Sequence, residues 1–166
     1  MLENFKDGYE VSNASAIALG ETRDCVVRAI ANACRVNYDM AHKFVSDTFG
    51  RKYQRGTMGF RTKMKELKKI KFQPAGQLSL FPEELEFDVT WLGDCPKLGG
   101  DLRNPKYTHK DVAYTVKEFA HRFRTGTYVL GVNKHALTIK DGIIVDNGDK
   151  KFEGYRRVVE SAFKIS

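Results

Sequence analysis

The sequence predicts an α+β fold, in which N-terminal helices pack on a C-terminal antiparallel sheet. Apolar residues recur with a helical period in the first half of the chain. In the second half, apolar and polar residues alternate in short segments separated by turn residues. Helices first and strands later are typical of this class. Because 166 residues suit one domain, we expect a single domain over 1–166, with a helical half of about 1–72 and a sheet half of about 73–166.

Three helices are predicted in the first half. Residues 24–34, DCVVRAIANAC, and residues 38–49, YDMAHKFVSDTF, each carry an apolar stripe. Gly50 can end the second helix in the left-handed conformation. In residues 57–70, TMGFRTKMKELKKI, apolar side chains recur at i, i+4 and i+7 while the lysines spread outward, which predicts a third helix.

The second half is predicted to contain strands and one further helix. Residues 87–92, FDVTWL, alternate like a strand, and residues 93–107 form a loop rich in turn residues. Residues 115–123, TVKEFAHRF, predict a helix that opens with a capping box. Residues 127–147 and 156–165 predict two or three strands, with an Asp-Gly hairpin turn at positions 141 and 142.

Positive charge is concentrated in one segment. Residues 51–71 hold nine Lys and Arg against one Glu, so this segment accounts for the whole net charge of +7. Such a segment either attracts phosphates and acidic partners or forms an ordinary solvated helix face. The candidate binding cations on the predicted third helix are Arg61, Lys63, Lys65, Lys68 and Lys69.

Composition also bears on the compartment. No apolar run approaches the roughly 18 residues that a membrane-spanning helix needs. The first ten residues have neither the basic nor the apolar region of a secretory signal. Three cysteines without CxxC spacing indicate a reducing environment rather than a disulfide framework. We therefore expect a cytoplasmic protein without membrane contact.

The two cysteines of the first helix differ in position. On a helical wheel of about 100° per residue, Cys34 lies within the apolar stripe and is best interpreted as a small core residue. Cys25 lies on the opposite side, together with Arg28 and Asn32. Core packing therefore explains Cys34 better than Cys25.

Cys25 is also in the first helical turn, with Asp24 or Thr22 as the N-cap. Unpaired N–H groups and the positive end of the helix dipole favour a thiolate there. Asp24 opposes this effect, but Arg28 stands four residues further on and can pair with it. Cys25 is therefore a candidate nucleophile that needs a base.

Four histidines are candidates for this base. His42 and His121 belong to predicted helices and His109 to a predicted loop. His135 belongs to a strand that is soon followed by an acidic or amide residue, as a catalytic base requires.

The hairpin register decides which residue can orient His135. If Asp141 and Gly142 form a two-residue turn, counting outward along the hairpin places Asp146 on the face of His135. A shift of one residue would place Asn147 there instead. The Asp-Gly turn favours Asp146.

These motifs resemble the papain-like cysteine peptidase superfamily. The segments DCVVRAIANA and, much later, GTYVLGVNKHALTIKDGIIVDN follow the order Cys, His, Asp or Asn. They look closest to compact, bacteriocin-processing-like members and to uncharacterised phage-encoded proteins, while the region from about 35 to 110 matches no motif. The resemblance implies that Cys25 is the nucleophile, His135 the base, and Asp146 or Asn147 the orienting residue, acting in the host cytoplasm if the chain is phage-encoded.

This resemblance implies a thiol hydrolase acting on a peptide, amide or isopeptide bond of a peptide or protein substrate. The oxyanion hole would use the Cys25 N–H and a side-chain donor. Family members usually supply a glutamine shortly before the cysteine, where this chain has Leu19, so Thr22 or Asn13 is the candidate substitute. The alternative is a non-catalytic papain-like or unrelated module that binds nucleic acid or an acidic protein through residues 51–71.

No metal or cofactor is expected. Cys95, His109, His121 and His135 are 12 to 14 residues apart, without the short-spaced pairs that structural zinc sites favour. The chain also lacks the glycine-rich loop that cradles nucleotide phosphates.

Overall fold

The computed structural model describes residues 23–57, 59–72, 85–94, 114–145 and 157–166. Within these residues the chain forms four helices and six strands, which confirms the α+β class. In chain order the elements are α1 (Cys25–Cys34), α2 (Tyr38–Phe49), α3 (Phe60–Glu66), β1 (Lys69–Phe72), β2 (Leu85–Asp94), α4 (Val116–Arg122), β3 (Thr127–Val132), β4 (His135–Lys140), β5 (Ile143–Val145) and β6 (Ser161–Ile165).

Local sequence signals explain the ends of α1 and α2. Arg35 ends α1 in the left-handed conformation, with φ 54°. The Asn37 side chain caps α2 by accepting a hydrogen bond of 2.8 Å from the Met40 amide. Gly50, with φ 67°, ends α2, and its N–H donates to the Ser46 carbonyl. The predicted bounds of α2 and its glycine terminator are confirmed.

The predicted third helix, 57–70, is wrong at both ends. Gly59 has φ 66° and stands immediately before α3, which ends at Glu66. From Lys69 onward the burial alternates, with Ile70 and Phe72 buried and the intervening lysines exposed. This period of two is that of a strand, and the first two residues of β1, Lys69 and Ile70, therefore lie within the range expected to be helical.

The six strands form one sheet in the order β1-β2-β6-β3-β4-β5, and every neighbouring pair is antiparallel. The predicted two-residue turn between β4 and β5 is confirmed, because Lys140 pairs with Ile143 across it. Asp141 and Gly142 both have positive φ, of 49° and 77°, as a type I′ turn requires. The Asp141 side chain also accepts a hydrogen bond from the Gly126 amide.

Helices cover both faces of the sheet. On one face, α1 and α2 pack in a cluster that includes Val129 and Phe163 of the central strands. On the other face, α4 packs against Leu130 and Ala162, their neighbours along the same strands. Because successive side chains of β3 and β6 point to opposite faces, these strands contribute to two separate hydrophobic cores. None of the described helices is long and apolar enough to cross a membrane.

Helix α4 begins as the capping signal predicts. The Thr115 side chain accepts a hydrogen bond of 3.2 Å from the Glu118 amide. Phe119 and Phe123 stack at 4.1 Å between ring centroids, on the face turned toward the sheet. Helix α4 therefore covers the second core, on the face of the sheet opposite α1.

Candidate active site

Cys25 is the first residue of α1 and is partly exposed. Asp24 occupies the N-cap position, but its side chain makes no capping hydrogen bond. Instead, the buried Asp24 carboxylate accepts hydrogen bonds from Arg28 Nε at 3.0 Å and from the Tyr38 hydroxyl at 2.7 Å. The predicted pairing of Asp24 with Arg28 is confirmed, and Thr22 lies outside the described residues. The arrangement pairs the carboxylate beside Cys25 with a cation one helical turn further on.

The Cys34 thiol has a different environment. Its side chain is buried in the core under α1, and burial raises the pKa of Cys34 to about 12. Such a thiol is neutral at physiological pH and is not a nucleophile. The interpretation of Cys34 as a core residue is therefore confirmed, whereas Cys95 lies outside the described residues.

His135 is the first residue of β4, directly after the tight turn that carries Lys134 in the left-handed conformation. It pairs with Val132 of β3 and is partly buried. The neighbouring Ala136 packs in the first core, and the Thr138 hydroxyl donates to the Ala29 carbonyl of α1 at 2.7 Å. These contacts fix the start of β4 beside α1.

One groove of about 900 Å³ is lined by both Cys25 and His135. It lies where the start of α1, the loop into α3, the end of β3 and the starts of β4 and β6 meet. The described lining residues are Arg23, Asp24, Cys25, Val26, Gly56, Thr57, Gly59, Phe60, Arg61, Thr62, Gly131, Val132, Lys134, His135, Ala136, Glu160 and Ser161. Two predicted site residues, 110 positions apart in sequence, therefore share one concave surface.

Cys25 and His135 share this groove without being hydrogen-bonded. No hydrogen bond of the Cys25 thiol is found among the described residues. Because Ala136 faces α1 and Leu137 faces the second core, strand alternation assigns His135 to the side of Leu137. Catalytic hydrogen bonds are often long or poorly aligned before substrate binds, so their absence here does not argue against the pair.

The predicted orienting residues, Asp146 and Asn147, lie outside the described residues. The register that favours Asp146 is present as far as the structure describes it, with Thr138 paired with Val145. One further step would pair Leu137 with Asp146. The third member of the triad stays a prediction, as do the oxyanion candidates: Thr22 and Asn13 also lie outside the described residues.

The other histidines lie elsewhere in the fold. His42 is on α2, 3.5 Å from Arg51 Nη1 and with its ring beside that of Tyr38. His121 is exposed near the end of α4, with its Nδ1 3.2 Å from Arg124. Neither belongs to the described lining of the groove, and His109 lies outside the described residues.

Three residues of the groove lining were not predicted from the sequence. Ser161 and Thr57 each bury a hydroxyl that has no hydrogen-bond partner among the described residues. Opposite Ser161 on β3 is Gly131, where a Cβ would lie 2.7 Å from the Ser161 hydroxyl. The available signal was Gly131 itself, because glycine inside a strand marks a close approach.

The five candidate cations do not form one open surface. Lys63 donates to the Phe49 carbonyl at the end of α2 at 2.5 Å. Lys65 pairs with the buried Asp94 of β2, and Lys69 pairs with Glu86 across the β1–β2 ladder. The hydrogen bond with Glu86 raises the pKa of Lys69, and the same bond lowers the pKa of Glu86.

The remaining two candidate cations differ from each other. Arg61 lines the groove, whereas Lys68 is simply exposed. The prediction that all five lie on one anion-binding helix is therefore wrong for Lys68, which follows α3, and for Lys69, which lies on β1. Lys63, Lys65 and Lys69 make contacts within the fold.

In the described part of the chain, no group of three or more His, Cys, Asp or Glu side chains is placed to hold a metal ion. In comparisons with known proteins, no family model, no curated protein and no solved structure matches this chain. The function of this protein is therefore inferred from the residues of the groove.

Proposed function

We propose that this protein is a papain-like thiol hydrolase that cleaves a peptide, amide or isopeptide bond. The observation that carries the proposal is the groove shared by Cys25, at the start of α1, and His135, at the start of β4. A nucleophile at a helix start beside a strand histidine is the arrangement that thiol acyl chemistry needs. The α+β class agrees with this reading.

The chemistry follows from these two side chains. His135 takes the thiol proton, and the Cys25 thiolate attacks the acyl carbon of the bound substrate. The Cys25 backbone N–H stabilises the resulting oxyanion, since its position in the first helical turn leaves it without an intrahelical partner. The imidazolium then protonates the departing amine, and water releases the acyl group from Cys25 by the reverse sequence of proton transfers.

Two further observations support Cys25 as the nucleophile. Arg28 and Tyr38 hold the Asp24 carboxylate, so its charge opposes a thiolate less than an unpaired Asp would. Cys34, in contrast, is buried and its raised pKa keeps it protonated. Among the described cysteines, only Cys25 combines access to the groove with a helix N-terminus.

A binding module acting through residues 51–71 has less support. Its cations include Lys63, Lys65 and Lys69, which are engaged with groups of the same chain. A nucleic-acid strand would have to compete with those contacts, and this competition reduces the counterion release that drives such binding.

An activated ester tests the proposal directly. We expect p-nitrophenyl acetate to acetylate Cys25, with a burst of p-nitrophenol and a mass shift on the peptide that contains Cys25. Cys34→Ala is the matched control and should retain the burst, because that thiol is buried. Acetylation of Cys34 or Cys95 in place of Cys25, or an equal burst in Cys25→Ala, would contradict the proposal.

A further inference from the structure

Three cations line the groove without an ion-pair partner among the described residues. Arg23 precedes α1, Arg61 lies in the first turn of α3, and Lys134 forms the turn between β3 and β4. They come from three separate parts of the chain and meet only in the folded protein. Positive charge therefore surrounds the site where substrate must lie.

The carboxylates of the groove offset little of this charge. Asp24 already pairs with Arg28 and accepts a hydrogen bond from the Tyr38 hydroxyl. Glu160 is the remaining carboxylate of the described lining, and it has no ion-pair partner among the described residues. Three cations thus face one uncompensated anion. A concave surface with walls of low dielectric constant concentrates such a field and attracts ligands of opposite charge.

A polypeptide fits this groove better than a nucleic acid does. A thiolate attacks an acyl carbon, which every peptide bond supplies and a phosphodiester backbone lacks. Glu160 would repel phosphates and carboxylates alike, so the acyl carbon is the feature that distinguishes the two classes of ligand.

We infer that the groove selects an acidic segment of a polypeptide, whose carboxylates pair with Arg23, Arg61 and Lys134. This inference rests on the proposed function, since it names the substrate class of the same site. A groove of about 900 Å³ accommodates several residues of an extended segment. Carboxylates on either side of the scissile bond would therefore reach cations on different walls.

Binding to the Cys25→Ala variant tests this inference without turnover. The probes are a short fluorescein-labelled peptide of alternating Glu and Ala, its Gln counterpart, and a short single-stranded oligonucleotide. We expect the Glu peptide to bind roughly tenfold more tightly than the Gln peptide, the sum of three modest ion pairs. Arg61→Gln and Lys134→Gln should each weaken binding of the Glu peptide about two- to fivefold.

Lys68→Gln is the matched control, because Lys68 is an exposed cation of the same basic segment and does not belong to the described groove lining. It should leave the affinity unchanged. Equal affinity for the two peptides, no measurable binding of either, or a Glu preference that survives both groove variants would overturn the inference. Tighter binding of the oligonucleotide than of the Glu peptide would overturn the choice of a polypeptide.

Failure of the inference is distinguishable from failure of the proposed function. If Cys25 acetylates while the two peptides bind equally, the hydrolase stands and the substrate class is wrong. If the Glu preference is found but Cys25 does not acetylate, the acidic-segment site stands without hydrolysis.

Discussion

Asp24 sets the electrostatic surroundings of Cys25. Its carboxylate is adjacent in sequence to the thiol, yet it is turned into the fold, where Arg28 and Tyr38 hold it. The Asp24 side chain therefore anchors α1 in the fold and does not cap it. Removing its charge should affect both the stability of the fold and the reactivity of the thiol.

Asp24→Asn is expected to lower the free energy of unfolding by about 1–3 kcal/mol, because the part-buried ion pair between Asp24 and Arg28 is lost. The same change should speed alkylation of Cys25 at neutral pH, since a nearby negative charge no longer opposes the thiolate. Chemical denaturation and iodoacetamide kinetics measure the two effects. Asp47→Asn, which removes an exposed pair with Lys43, is the control and should change neither by much. Slower alkylation in Asp24→Asn would contradict this account.

Gly131 and Ser161 form a close contact in the lining of the groove. A Cβ at position 131 would lie 2.7 Å from the Ser161 hydroxyl. Gly131→Ala should therefore lower the free energy of unfolding by about 1–3 kcal/mol through overpacking. In a Ser161→Ala background the same substitution should cost less, because the clashing oxygen is absent. A double-mutant cycle measured by denaturation checks the coupling, and strict additivity would rule the contact out.

An ion pair joins helix α3 to strand β2. Its lysine is one of nine basic residues in 51–71, so the sequence does not single it out. Lys65 pairs with the buried Asp94, and its ammonium group lies 4.7 Å from the centre of the Trp91 ring. The Trp91 indole N–H also donates to Asp94 at 3.3 Å. Lys65 therefore contributes to the packing of α3 on the sheet.

Lys65→Met should lower the free energy of unfolding by about 3 kcal/mol, because it leaves the Asp94 carboxylate buried without its cation. Lys68→Met, on an exposed neighbour, should change it by less than about 0.5 kcal/mol. Adding Asp94→Asn to Lys65→Met should recover part of the loss. Thermal and urea denaturation measure these differences, and equal effects of the two lysine variants would show that the pair is only a surface contact.

The register of the β4–β5 hairpin determines whether Asp146 or Asn147 lies on the same face as His135. The register through Val145 supports Asp146 on the side of His135, so Asp146→Asn should slow alkylation of Cys25 while Asn147→Ala should not. Rates measured on the two variants near neutral pH decide the point. The reverse outcome would mean that the register changes beyond Val145, and unchanged rates in both variants would leave Cys25 and His135 as a dyad.

At the scale of the whole molecule, features with a local cause were predictable from sequence. Gly50 ends α2 in the left-handed conformation, which depends only on nearby residues. Asp141 and Gly142 specify a tight turn, which in turn fixes the register of the hairpin. The difference between Cys25 and Cys34 follows from the helical period alone.

Features that depend on distant partners were not predictable. Strand β1 has only four residues, and its apolar positions also fit the helical period of the preceding α3. Its extended conformation depends on pairing with β2. The partner of Lys65 is 29 residues away, and only the folded sheet brings Asp94 to it. Likewise, the order of Cys25 and His135 is evident in the sequence, but the groove that they share is not.

The proposed pair of Cys25 and His135 is tested by the rate of Cys25 alkylation with iodoacetamide, measured as a function of pH. We expect His135→Ala to slow the reaction near neutral pH by roughly tenfold, because the thiol loses the base that takes its proton. His121→Ala, which removes an exposed histidine of α4, should leave the rate unchanged. The same rate in His135→Ala and the wild-type protein across the pH range would contradict the pair.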